Sequence, residues 1–290
     1  MTKHHIAKLG ILTTTILAMP ALSFAGTSSK EMKAVVEKCK VSCITGDIGL
    51  DVYSKYVFHG LTLENQGAIL QPYADLYFKI YEGDGVLNSA VVNLGIWNSF
   101  HSNHTVSSTT RGWYEFDFLA GVSFTFAKSF TFTPTYVYYS SPGDYFGSSH
   151  NLRLQLAYDD TALLGAFALH PYFFAELELE GKSGNGSDQG VYYEVGIAPA
   201  IPVGPVTLAF PIKAGFGSSD YYLNDAGYGF FSAGILASYA VKCAPECLGS
   251  WTLTAGATYF NYGSPGDAAD AVKSDITNDV VFNGGLKVAF

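Results

Sequence analysis

The chain has 290 residues, of which only 14% are charged, against 20 Tyr, 21 Phe and 31 Gly. A soluble domain is about 25% charged, so part of this surface faces something other than water. The net charge of −9, with no basic run, argues against nucleic acid as a partner, and the aromatic content excludes disorder.

The N-terminus reads as an export leader. Lys3, His4, His5 and Lys8 precede an uncharged apolar run from Leu9 to Met19, Pro20 ends it, and Ser23-Phe24-Ala25 supplies small residues for cleavage. Residues 1–25 are therefore expected to be a signal peptide. Its removal takes the net charge from −9 to −11. No later stretch is apolar and long enough for a spanning helix.

Residues 26–46 form an N-terminal segment on the periplasmic side, and Lys30 to Val41 is expected to be helical. It contains Cys39 and Cys43, while Cys243 and Cys247 flank a short turn far along the chain. In an oxidising compartment four cysteines predict disulfides of unknown pairing. Spacing of i and i+4 on a helix suits a local bridge poorly, which favours a staple between the two regions.

From residue 47 to 290 the chain alternates apolar and polar residues in long runs. The breaks predict twelve strands, near 48–61, 68–81, 86–100, 112–127, 130–140, 150–159, 163–180, 190–201, 206–217, 228–242, 249–263 and 278–290. In the fourth, Tyr114, Phe116, Phe118, Ala120, Val122, Phe124 and Phe126 share one face, and Trp113, Glu115, Asp117, Ser123 and Thr125 the other. Connections alternate between short turns and longer loops rich in Ser, Gly, Asn and Asp. An even number of amphipathic strands with this alternation predicts an all-β fold, an antiparallel up-and-down transmembrane barrel with both ends in the periplasm. Pro134, Pro171, Pro199 and Pro211 fall inside predicted strands and weigh toward the competing periplasmic β-sandwich.

With the polar faces inward, Asp51, Lys55, Asp75, Lys79, Glu115, Asp117, Arg153, Glu176, Glu178, Glu194, Lys213 and Lys287 line the lumen. Acids outnumber bases, so an open bore would favour cations mildly. Tyr53, Trp97, Tyr139, Tyr172 and Tyr192 point inward as well. The stretch His101-Ser102-Asn103-His104 is the one candidate for nucleophilic chemistry. On a strand, adjacent His101 and Ser102 face opposite ways, so it is read as surface loop. No metal or cofactor is expected. The loop acids Asp144, Asp188, Asp220, Asp225, Asp267, Asp270 and Asp275 could bridge through divalent cations to lipopolysaccharide, though single loop acids are ordinarily just solvated. At the C-terminus, Asn283, Gly285, Val288 and Phe290 form the pattern by which barrel-assembly machinery takes its substrates.

Three stretches resemble the Gcw-chp family of uncharacterised exported bacterial proteins. They are Tyr53-Ser54-Lys55-Tyr56-Val57-Phe58-His59-Gly60-Leu61 followed by Gln71-Pro72, then Gly95-Ile96-Trp97-Asn98-Ser99 followed by Glu115-Phe116-Asp117, and Tyr138-Tyr139-Ser140-Ser141-Pro142-Gly143. The family usually carries Arg at the place of His59. The resemblance implies an outer-membrane barrel and no established activity. The residues themselves predict a passive, porin-like channel for small hydrophilic solutes, set among outer-membrane lipid and lipopolysaccharide. The alternatives are a structural or surface-interaction barrel with a filled lumen and a lipid-modifying enzyme.

Overall fold

The computed structural model describes residues 44–103, 112–223, 227–242, 244–263 and 277–290. The leader, Cys39, Cys43, Cys243, His104, Asp225, Asp267, Asp270 and Asp275 lie outside these residues. Sixteen strands are described: β1 (Ile44–Tyr53), β2 (Tyr56–Phe58), β3 (Leu61–Glu64), β4 (Ile69–Glu82), β5 (Leu87–His101), β6 (Trp113–Phe126), β7 (Phe130–Ser140), β8 (Ser149–Tyr158), β9 (Tyr172–Glu180), β10 (Val191–Ile197), β11 (Ala200–Val203), β12 (Val206–Ala209), β13 (Ile212–Gly217), β14 (Tyr228–Val241), β15 (Ser250–Tyr262) and β16 (Asn278–Ala289). All but β2 and β3 belong to one antiparallel sheet that closes where β16 pairs with β1, from Asp47 opposite Ala289 to Tyr53 opposite Asn283. Since β10 runs on into β11 and β12 into β13, these strands make twelve staves. The sandwich alternative is excluded, because the sheet closes on itself into a single barrel through the β1–β16 pair.

The prolines sit where the ladder can spare a donor. Pro199 and Pro211 occupy the interruptions between β10 and β11 and between β12 and β13. Pro134 lies where the β6–β7 register skips from Gly121 opposite Thr135 to Phe124 opposite Phe132. Pro171 precedes β9 and uses only its carbonyl, which accepts from the Tyr158 N–H at 2.9 Å. A missing N–H is harmless at each place.

Alternation then sorts the side chains. Leu94, Ile96, Phe118, Phe173, Val195, Ile235, Leu253 and Phe282 are exposed around the outside, while their strand neighbours Glu115, Asp117, Arg153, Glu176 and Glu194 are buried inside. A closed ladder wearing an apolar belt is the arrangement that lipid demands. At the short-turn end, Phe126, Phe130 and Tyr158 stack in series at 5.6 and 4.7 Å, an aromatic contact of the kind found at membrane interfaces.

Three expectations are corrected. The barrel begins at Ile44 rather than at residue 47. Its first stave ends at Tyr53, whereas a strand over 48–61 was predicted, and the chain then turns into the lumen. The seventh stave begins at Tyr172, not near 163. Before it lie a helical turn, α1 (Thr161–Leu164), and a 3-10 turn, Gly165–Phe167. The cause is local: the Asp160 carboxylate accepts from the N–H groups of Leu169 and His170 at 3.0–3.1 Å, and so closes a loop where a strand would need those donors for pairing.

Candidate functional site

The lumen holds an element that strand periodicity does not announce. After Tyr53, β2 and β3 form a hairpin inside the barrel, with Phe58 opposite Leu61 and a two-residue turn at His59-Gly60. His59 has φ 48° and Gly60 φ 84°, the pair of positive φ values that a type I′ turn needs. Glycine takes this conformation freely, and His is among the residues that tolerate it. Tyr56, Val57, Phe58, His59 and Leu61 are all buried. The hairpin therefore fills the loop-end half of the lumen.

Its tip docks on the wall across the barrel from β1. The His59 ring stacks on Tyr192 of β10 at 3.7 Å and 6°, with Nδ1 2.5 Å from the Tyr221 hydroxyl. Tyr222 donates to the His59 carbonyl at 2.6 Å, and Gly60 packs on Phe230, which a Cβ there would approach to 2.6 Å. Phe58 meets Tyr139 edge-on at 5.6 Å. Nearer the root, the Tyr56 hydroxyl donates to Glu115 Oε2 at 2.9 Å, and Lys55 pairs with Asp279 of β16. Burial, with Arg153 and Lys213 nearby, pushes the His59 ring well below the ordinary histidine range, so it docks neutral.

The wall behind the hairpin is charged. Arg153 Nε donates to Glu176 Oε2, and its Nη2 donates to the Tyr139 hydroxyl. Tyr139 and Asn151 in turn donate to Glu176 Oε1 at 2.8 and 2.7 Å. Lys213 pairs with Glu194 at 3.1 Å, and Glu194 also accepts from Tyr172 and Tyr192, each at 2.6 Å. Glu178 serves the mouth: it accepts from the N–H groups of Ser183, Gly184 and Gly190 and from the Ser183 hydroxyl, tying the 181–190 loop over the opening. Tyr221 and Tyr222, on the next loop, are buried beneath it.

The other lumen residues expected from the sequence occupy the half nearer the termini. Asp75 faces Asp47 across the β1–β4 pair, and the Tyr77 hydroxyl reaches Asp47 at 3.3 Å. Asp51 lies on the same face of β1 as Asp47, and Lys287 on β16 is close enough to act electrostatically on Asp51 and Asp75. Asp47, Asp75 and Tyr77 are buried here, and beyond them the lining includes half-buried amide and hydroxyl, such as Asn93 bonded to Ser123 at 2.8 Å, toward the short-turn rim. Lys79 stands at that rim, paired with Glu82 at 2.9 Å. Lys55 is inside as expected, but on the hairpin root rather than on a stave. At this root a void of about 10 Å³, room for one water, separates Tyr53 and Tyr56 from Thr258, Phe260 and Asn283.

Two groupings escaped the sequence reading. His101 bonds Ser99, not Ser102, with Nε2 2.9 Å from Oγ, because residues two apart share a strand face. Both are buried and face the lumen; Ser99 is 0% exposed. Ser102 instead accepts from the Ala68 N–H at 2.7 Å. A register shift at Ser99/Phe100 turns Trp113 outward to 42% exposure and Tyr114 inward to 8%, the reverse of their expected faces. Among the described residues no group of three or more His, Cys, Asp or Glu could hold a metal. Cys247 is exposed and free. Asn283 and Gly285 face the lumen side of β16, while Val288 and Phe290 lie on its outer face, where Phe290 exchanges two backbone hydrogen bonds of 2.9 Å with Gly46.

No family model matches the chain, and no curated protein does. Solved structures of similar course are outer-membrane barrels. An outer membrane channel from Pseudomonas putida F1 is 12% identical with a TM-score of 0.47, covering 88% of this chain and 98% of that one. The NanC porin is 10% identical with a TM-score of 0.46, covering 83% and 98%. The outer membrane phospholipase A from Escherichia coli is 9% identical with a TM-score of 0.39, covering 84% and 92%.

Proposed function

We propose that this chain is an exported outer-membrane barrel that rests closed, its lumen occupied by its own β2–β3 hairpin. In this reading residues 1–25 direct export, the C-terminal residues engage the assembly machinery, and the loop end faces lipopolysaccharide. The observation that carries it is the docking of His59 on Tyr192, which puts a dry hairpin across the bore. A standing porin-like pore for hydrophilic solutes would need the space that the hairpin fills, so the geometry favours the filled lumen. A lipid-modifying role would want nucleophile and base on the lipid face, whereas Ser99 and His101 point inward.

Conductance of the refolded protein in a planar bilayer tests the proposal, with folding checked by the heat-dependent gel shift typical of such barrels. The expected result is that inserted wild-type barrels show no persistent open level. A sustained ohmic current accompanying each insertion would overturn it.

A further inference from the structure

We propose that the hairpin is a displaceable plug over a cation path, so that the lumen, once vacated, passes small cations in preference to anions. This rests on the closed-barrel reading above and says what the barrel conducts when open.

The barrel does not need the hairpin. Tyr53 and Ile69 are opposite one another in the β1–β4 pair, so a two-residue turn would join them. Instead the chain from Ser54 to Ala68 enters the bore. Nor does the wall suit a permanent core. Glu115, Asp117, Arg153, Glu176, Glu194 and Lys213 stand buried where the hairpin and its loops cover them. Buried ion pairs are commonly no more stable than apolar side chains of the same volume, so a lumen that stays dry gains nothing from them. A lumen that is wet part of the time does: water then solvates the charges, and the charges act on whatever passes.

The sign follows from the same six residues, four of them acids and two bases. Lys55 and Glu64 would leave with the hairpin, one charge of each sign, so the excess belongs to the staves. In the half nearer the termini, Asp47, Asp51 and Asp75 stand against Lys287, extending the bias along the bore. Departure is also feasible. The polar contacts that hold the hairpin to the wall are of a kind that water can replace, among them Lys55 to Asp279, Tyr56 to Glu115, His59 to Tyr221, Thr62 to Tyr262 and Tyr222 to the His59 carbonyl.

The test replaces Ser54–Ala68 with Asn-Gly and records the folded variant in a planar bilayer under a potassium chloride gradient. Long-lived steps are expected in place of the wild type's brief openings, with a reversal potential displaced toward that of potassium, and Glu115→Gln with Asp117→Asn should move it back toward zero. Current that reverses at zero or toward chloride overturns the cation path while leaving the closed-barrel reading intact. Silence from a folded variant overturns the plug, since something other than the hairpin then closes the bore, whereas only a sustained current through the wild type overturns the closed barrel. Gly60→Val keeps every wall residue and gives the same readings without excision, because a Cβ at φ 84° against Phe230 unseats the tip.

Discussion

Arg153 and Glu176 allow the dry wall to be tested by stability alone. Both are buried, Glu176 at 0% exposure. Arg153→Met removes the cation and leaves a carboxylate that keeps its bonds from Tyr139 and Asn151 and has the neutral His59 ring 4.0 Å away. Orphaning one partner of a buried pair costs about 3–5 kcal/mol, and the two retained donors put this site near the lower figure. Adding Glu176→Gln removes the stranded charge, while the amide oxygen still accepts from Tyr139 and Asn151. The double variant should therefore lie within about 1 kcal/mol of wild type, more stable than the single. Urea unfolding in phospholipid vesicles, followed by the fluorescence of Trp97, Trp113 and Trp251 and by the folded gel band, measures both. A single variant that loses less than about 1 kcal/mol, or a double variant worse than the single, would mean that water reaches Glu176 and that the wall is not dry.

Three further outcomes follow from other parts of the barrel. His59 faces Arg153, Lys213, Glu176, Tyr192 and Tyr221, and its folded pKa lies below the ordinary 6.5; hairpin docking is thus at full strength above about pH 6.5 and weakens as the pH falls. Channel openings should become more frequent on acidification, and His59→Phe, which keeps a ring against Tyr192, should flatten that rise; an unchanged pH profile in the variant would remove His59 as the cause. Tyr222→Phe loses one hydrogen bond to the hairpin backbone, worth about 1 kcal/mol, so the open probability should rise about five-fold, and no rise would mean that this bond does not restrain the hairpin. Leu94 sits at the middle of β5 facing outward, 37% exposed; Leu94→Arg should cost about 2–4 kcal/mol in vesicles, and a loss under about 0.5 kcal/mol would contradict a lipid-facing position.

Most staves were legible because their alternation is a direct consequence of the pleat. Asn151, Arg153 and Gln155 go in and Leu152, Leu154 and Leu156 go out, as one wet face and one lipid face require. The charged lining was readable for the same reason. What parity cannot carry is a slip of one residue. The shift at Ser99/Phe100 exchanges the faces of Trp113 and Tyr114, two aromatics whose composition suits either side. The apolar run around Leu163, Leu164 and Phe167 imitates a strand, whereas the Asp160 carboxylate and carbonyl take up its N–H groups in turns. Ser99 and His101 could have been paired by the rule that set His101 and Ser102 apart, since i and i+2 share a face.

The hairpin was hidden for a deeper reason. Periodicity reports a difference between two environments, and Tyr56, Val57, Phe58 and Leu61 have the same dry environment on both sides. They read as the continuation of a strand into which β1 had already led. His59-Gly60 was the one local sign, an X-Gly turn between apolar pairs. The wall shows as wet from its own residues and the hairpin shows as dry from its own; their contact lies beyond either pattern, since His59 meets Tyr221 across 162 residues of chain. A charged wall against an apolar hairpin is a mismatch that a permanent core would have no reason to keep, and a bore that empties would.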